Sequence, residues 1–241
     1  MSGHSHFSTI KRKKEVSDKK RGQIFSKLSR IISLAAKEKG SDPGSNSKLR
    51  LAIEKAKEFN MPSQTIEKAI KRGTGELEGI KLEEIIFEAY GPANIAIIIE
   101  GITDNKNRTL GEVKQILTKN GGKLVQEGSV KWLFERKGVI TVNTENQKFK
   151  EDEIILKTIE AGAEDVYHYN NNLDIYTKIE DLEKTKKNLE DLDIKIERAS
   201  LDWVPKNMIQ LDEKTKNASQ KLFEDLDEND AVQEIYSNLK I

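Results

Sequence analysis

GVITVNTENQKFKEDEIILKTIEAGAEDVYHYNNNLDIYTKIEDLEKTKKNLEDLDIKIERASLDWV, residues 138–204, carries the pattern that decides the fold. Two periods alternate along it. Residues 138–143, 164–169, 173–178 and 194–204 read as strands, whereas 149–161 and 179–192 place their apolar side chains at helical spacing. The order is strand, helix, strand, strand, helix, strand, which is the split βαβ order of a ferredoxin-like unit.

Upstream, Leu82–Tyr90 and Ile95–Thr103 read as strands joined by the turn Gly91-Pro92-Ala93-Asn94. A helix over 110–119 follows, with Thr109 and Glu112 spaced as a capping box and Gly121-Gly122 to end it. Val130–Arg136 is predicted as a further strand. This ββαβ segment lacks one strand and one helix, and the tail offers both: Asn207–Leu211 as a strand, then a helix from Asp212 to Leu226. The expected class is α+β. It comprises an N-terminal three-helix bundle with a basic arm (1–78), a discontinuous ferredoxin-like domain (79–136 plus 206–241), and a second ferredoxin-like domain inserted in it (137–205).

The bundle is read from three short amphipathic stretches before a linker at 74–81. From Asp18 to Lys39, steps of about 100° per residue bring Ile24, Phe25, Leu28, Ile31, Ile32 and Ala35 into one arc. Lys19, Lys20, Lys27, Arg30 and Lys37 fall in the adjacent arc, with Leu34 and Arg21 as misfits. Gly40–Ser47 is a loop. A second helix from Asn46 or Ser47 to about Asn60 buries Leu49, Ala52, Ile53, Ala56 and Phe59. Pro62 opens a third, and Gly73 is placed to stop it. Residues 1–16 show no apolar period and are expected to be a flexible arm.

The formal net charge is zero, but it is unevenly placed. Residues 1–73 hold 18 Lys and Arg against seven Asp and Glu, and the remainder holds 23 against 34. A basic end on an acidic body points to a polyanionic partner, and nucleic acid fits because neutralised phosphates release counterions. The candidate phosphate contacts are Lys11, Arg12, Lys13, Lys14, Lys20, Arg21, Lys27 and Arg30. The plainer reading is a solvated basic tail.

Other chemistry finds little footing. The chain has no cysteine, so disulfides, thiolate metal sites and cysteine nucleophiles are excluded. His4 and His6 stand at i, i+2 without a third ligand, so no metal site is predicted. Phosphate-cradling Gly-rich motifs and Gly-x-Ser-x-Gly are missing, and no Ser–His–Asp set assembles. No cofactor, small-molecule substrate or membrane partner is expected, and no apolar h-region follows the N-terminal charges as a secretory signal would need, so the expected compartment is the cytoplasm. Phe7 can stack on a base or fold back over the bundle. Asp104-Asn105-Lys106-Asn107-Arg108-Thr109, between a strand and a helix N-terminus, offers Asn105, Lys106 and Arg108 as an anion or partner contact. The alternative there is a helix cap and a local ion pair.

Many spaced motifs, in order and nearly end to end, resemble the YebC family. They are Gly3-His4-Ser5, Ile10-Lys11, Asp18-x-Lys20-Arg21-Gly22-x-x-Phe25-x-Lys27-Leu28-x-Arg30, Asp42-Pro43, Asn60-Met61-Pro62, Tyr90-Gly91-Pro92, Asp104-Asn105-x-Asn107-Arg108-Thr109, Gly121-Gly122 and Gly128-Ser129-Val130. The resemblance implies a helical bundle and two α/β domains around a cleft, and a non-enzymatic DNA-binding regulator of transcription in a bacterial cytoplasm. It also implies an alternative, because a mitochondrial relative activates translation of cytochrome oxidase subunit one. Other members are linked to the ribosome and to relief of stalling on proline-rich chains, which would make ribosomal RNA the partner. The chain departs from the family at His6-Phe7, where Lys-Trp is usual, and at Ala93-Asn94, where two glycines are usual.

Overall fold

The structure, a computed structural model, describes residues 18–77, 81–169 and 171–240. Three helices come first: α1 (Asp18–Lys39), α2 (Ser47–Glu58) and α3 (Ser63–Thr74). Leu28, Ile32, Leu49, Ala56 and Ile66 lead the core they share. Buried Asn46 fastens the first connection. Its Oδ1 caps α2 by accepting from the Leu49 N–H at 3.1 Å, while its Nδ2 donates to the Ala35 and Gly40 carbonyls. The third helix runs past its expected stop. Gly73 remains helical because it lies against α1, where a Cβ would come within 2.2 Å of the Ser33 carbonyl oxygen. Gly75, with φ at 79°, ends the helix instead.

The chain then runs β1 (Glu83–Tyr90), β2 (Ala96–Thr103), α4 (Lys106–Lys119), β3 (Lys123–Val125), β4 (Phe134–Asn143), α5 (Glu151–Glu160), β5 (Asp165–Tyr169), β6 (Asn172–Thr177), α6 (Leu182–Asp191), β7 (Arg198–Pro205), α7 (Glu213–Asp227) and β8 (Val232–Ser237). Strands β4 to β7 form an antiparallel sheet in the order β5-β6-β4-β7, with α5 and α6 packed on one face. This is the split βαβ arrangement expected from residues 138–204. The other sheet has the order β3-β1-β2-β8, with α4 and α7 on one face. Its last strand and helix come from the far end of the chain, after the second sheet is complete. Among the described residues, no helix is long and apolar enough to cross a membrane.

Two expected strands move. Phe134–Arg136 is the start of β4 and pairs with Trp203–Pro205, so the third strand of the first sheet is the short Lys123–Val125. At the C-terminus the strand follows its helix. Val232–Ser237 pairs with β2, whereas Asn207–Leu211 contributes a single bridge from Ile209 to Leu239. Val232, Ile235 and Tyr236 are buried, whereas Met208, Ile209 and Leu211 stay half-buried, which explains which segment takes the sheet edge.

The apolar run Ile95–Ile99 is buried at every position because both faces of β2 are covered. Ile95, Ile97 and Ile99 face α4 and α7, while Ala96 and Ile98 meet Val130, Phe134 and Tyr236 beneath the second sheet. Glu100 lies on that second face directly opposite Glu234 of β8. Two carboxylates so placed repel each other, and the inserted sheet supplies the compensation. Arg136 Nη1 donates to Glu100 Oε1 at 3.0 Å, and Trp203 Nε1 donates to the same oxygen at 2.7 Å. Burial pushes the Glu234 carboxyl above its ordinary range, with Arg198 opposing. The inter-sheet loop is held by another acid. Glu88, 2% exposed, accepts from the N–H groups of Gly128, Val130 and Lys131 at 2.6, 2.7 and 2.9 Å. Burial alone would raise its pKa, but these three donors and the Lys131 charge hold the carboxyl below its ordinary value.

Replacing Glu88 with Ala removes the acceptor for all three donors and should cost about 3 kcal/mol, read as a lower urea midpoint. Because the folded pKa is depressed, the Glu88 contribution is complete above the ordinary value of 4.5 and is lost as pH falls through the folded value. In E88Q that acid-dependent component should vanish; an unchanged pH profile would contradict the assignment. In the β1–β2 turn, Ala93 and Asn94 have φ of 53° and 60°, the left-handed region that suits the two glycines usual there. Ala93→Gly should therefore stabilise the protein by about 1 kcal/mol, measurable as a raised melting temperature.

Candidate nucleic-acid interface

Phe7, Lys11, Arg12, Lys13 and Lys14 lie outside the described residues, so the interface is built from α1 onward. Lys20 and Arg21 are exposed at the start of α1. Lys27 is not. It is 3% exposed, and its Nζ donates to Asp227 Oδ1 at 2.5 Å and to the Asp227 carbonyl at 2.7 Å. A phosphate contact by Lys27 is therefore corrected to a fastening of the bundle onto the end of α7. Helical periodicity placed Lys27 on the polar arc of α1, but it carries no information about which surface that arc packs against.

Arg30 shares this seam. Its Nη1 donates to the Ile102 carbonyl at 3.1 Å and lies 3.8 Å from Asp104 Oδ1. Gln23 Nε2 adds a bond to the Glu228 carbonyl at 3.3 Å. Arg30 keeps about a fifth of its side chain exposed, so it fastens and faces solvent at once.

Beside the seam opens a cleft of about 630 Å³. One wall is α1, with Ser26, Ser29, Arg30, Ser33 and Lys37. The end of α3 and its exit turn form another, with Arg72, Gly73, Thr74, Gly75 and Leu77; Lys81, Leu82 and Asp104 complete the lining. Among the described residues, four cations face one carboxylate. Lys37, Arg72 and Lys81 are exposed, and Lys37 Nζ reaches across to the Leu82 carbonyl at 2.9 Å. Sequence reasoning put Lys37 on the basic arc but did not single it out, and it missed Arg72 and Lys81. Those two stand on either side of the linker, and only the tertiary arrangement brings them opposite α1.

The 104–109 junction is largely occupied with itself. Asn105 Oδ1 caps α4 by accepting from the Arg108 N–H at 3.0 Å, so this helix begins before the Thr109–Glu112 capping box expected from spacing. Thr109 is buried, 2.7 Å from the Thr103 hydroxyl. Arg108 donates to Asp104 at 2.5 Å and lies 3.7 Å from Glu112, while Lys106 is exposed. Of the three candidates, Asn105 serves as a cap and Arg108 as an ion-pair partner. A second hollow of about 490 Å³, between α1 and the α7–β8 turn, shares Arg30 with the first and adds Arg108, but is rimmed by Glu112, Glu228 and Asp230. It lacks the cationic excess of the first.

Residues 5–76 match the TACO1/YebC protein N-terminal domain, and residues 82–239 match the TACO1/YebC second and third domain. The chain belongs to the TACO1/YebC family. A relative from Halothermothrix orenii, named "Probable transcriptional regulatory protein", is 49% identical over all of this chain and 96% of its own length. One from Caldanaerobacter subterraneus subsp. tengcongensis, given the same designation, is 47% identical over all of this chain and 99% of its own. The crystal structure of a conserved hypothetical protein from Aquifex aeolicus superposes with a TM-score of 0.85 at 45% identity, covering 98% of this chain and 97% of that one. The α+β architecture expected from the sequence is thus that of the TACO1/YebC family.

The basic residues of this TACO1/YebC protein divide into fasteners and surface cations, and the two groups should respond differently to truncation. Lys27→Ala strands Asp227 beside buried groups and should lower stability by about 3 kcal/mol in urea. Lys20→Ala should stay within about 0.5 kcal/mol of the parent. Equal effects at both positions would refute the division.

Proposed function

We propose that this protein is a non-enzymatic, nucleic-acid-binding regulator of gene expression in the cytoplasm, and specifically a DNA-binding regulator of transcription. The observation that carries the reading is the exposure of Lys20, Arg21, Lys37, Arg72 and Lys81, with Arg30 partly exposed, on a helical bundle joined to an acidic α/β body. Lys20 to Lys37 spans about 25 Å of helix, enough to follow several successive phosphates. The designation shared by its relatives supports the transcriptional form of the reading. Such contacts position a protein on a backbone without reading sequence, so strong promoter selectivity is not expected from these residues.

A second reading, docking on ribosomal RNA as a translation factor, is favoured by the concave shape of the cationic cleft, because RNA is recognised largely through shape and backbone. Crosslinking in cells followed by sequencing of the bound nucleic acid separates the two. Discrete promoter peaks support transcription, and recovery of ribosomal RNA supports translation. For duplex DNA, affinity should fall with salt at about −0.9 per phosphate neutralised. K20E/R21E should weaken binding at least tenfold and flatten that slope. A salt-independent affinity would overturn the reading.

A further inference from the structure

We infer that the cleft between α1, the end of α3 and the entry to β1 is a binding site for the sugar–phosphate backbone of single-stranded nucleic acid. The inference rests on the nucleic-acid reading above but not on its choice between DNA and RNA. Four cations reach one concavity from three separate segments: Arg30 and Lys37 from α1, Arg72 from α3, and Lys81 from the strand entry. Gathering like charges is unfavourable in the absence of an anion and becomes favourable when phosphates fill the space between them. Among the described residues, Asp104 is the one carboxylate in the lining, and it already accepts from Arg108 at 2.5 Å.

The neutral groups leave the cationic field of the cleft unopposed. The C-terminal carbonyls of α3 would repel an anion, but Gly75 folds the chain back so that the Lys71 and Arg72 carbonyls accept the N–H groups of residues 75–77. Of the α1 serines in the lining, Ser29 and Ser33 donate their hydroxyls to the Phe25 and Ala69 carbonyls at 2.8 and 2.6 Å, so the cations carry the phosphate contacts. The lining contains no aromatic side chain among the described residues, so bases have nothing to stack on and the backbone is what the site can hold. Size selects the form. About 630 Å³ falls within the ~300–1,000 Å³ that enclose a small ligand, which admits a stretch of single strand but not a double helix.

The test is fluorescence anisotropy on the full chain with labelled 12-nucleotide oligo(dT) and oligo(U), the corresponding 12-base-pair duplex, and inorganic tripolyphosphate as competitor. Both single strands should bind more tightly than the duplex at equal salt, with a slope of about −0.7 per phosphate. R72E/K81E changes two exposed side chains and should keep the parent's circular dichroism and melting temperature. It should weaken single-strand binding at least tenfold and make the salt slope shallower by about 1.4. Wild-type binding with an unaffected R72E/K81E variant would overturn the cleft while leaving the broader reading in place. A preference for duplex, or failure of tripolyphosphate to displace the labelled single strand, would overturn the single-strand backbone assignment. Failure of the wild-type protein to bind any of the nucleic acids would remove both.

Discussion

The ion pair between Lys27 and Asp227 governs how the parts of this protein sit together. Burying a lysine ammonium costs solvation that a single carboxylate barely repays. The pair therefore adds less to stability than to orientation. It fixes α1 against the end of α7, and Arg30 extends the same seam to the Ile102 carbonyl and to Asp104. Once α1 is held there, Lys37 comes within reach of Leu82, and the wall formed by α1 and α3 faces Lys81. The cationic cleft is a consequence of that docking. Neither the bundle nor the first sheet contains it alone.

The acidic body contributes through where its carboxylates go. Glu88 holds the inter-sheet loop, Glu100 takes Arg136 and the Trp203 N–H, Asp104 takes Arg108, and Asp227 takes Lys27. The Asp104–Arg108 pair is local, but the other three acids work at junctions between elements far apart in sequence, where partial burial strengthens a charge-assisted hydrogen bond. The opposed pair Glu100 and Glu234 shows the cost of the arrangement. The first sheet would be strained on that face were the inserted sheet not to bring Arg136 and Arg198 to it. The second sheet thus completes the electrostatics of the first, whose strands lie on either side of it in the chain.

Much of this architecture was legible before any coordinates. The alternation of periods over 138–204 foretold the second sheet and its helices, and the apolar arcs of residues 18–74 foretold the bundle. What misled were local signals with more than one use. Gly73 looked like a helix stop but is a point of close helix contact against Ser33. Thr109 and Glu112 had capping-box spacing, yet Asn105 caps first. Residues 130–136 had strand character, but only pairing partners decide which sheet a strand joins.

By itself the sequence determined most of the elements, the family and the concentration of positive charge at one end, because periodicity, motif spacing and charge counts are properties of the chain in order. Tertiary structure alone decided which cations are spent and which are presented. Lys20 and Lys27 lie on the same arc of the same helix, yet one is exposed and the other sealed against Asp227. Arg72 and Lys81 had no visible relation to α1 until the fold placed them across from it. An electrostatic site depends on distance through space and on solvent access, and neither is written in the order of residues along a chain.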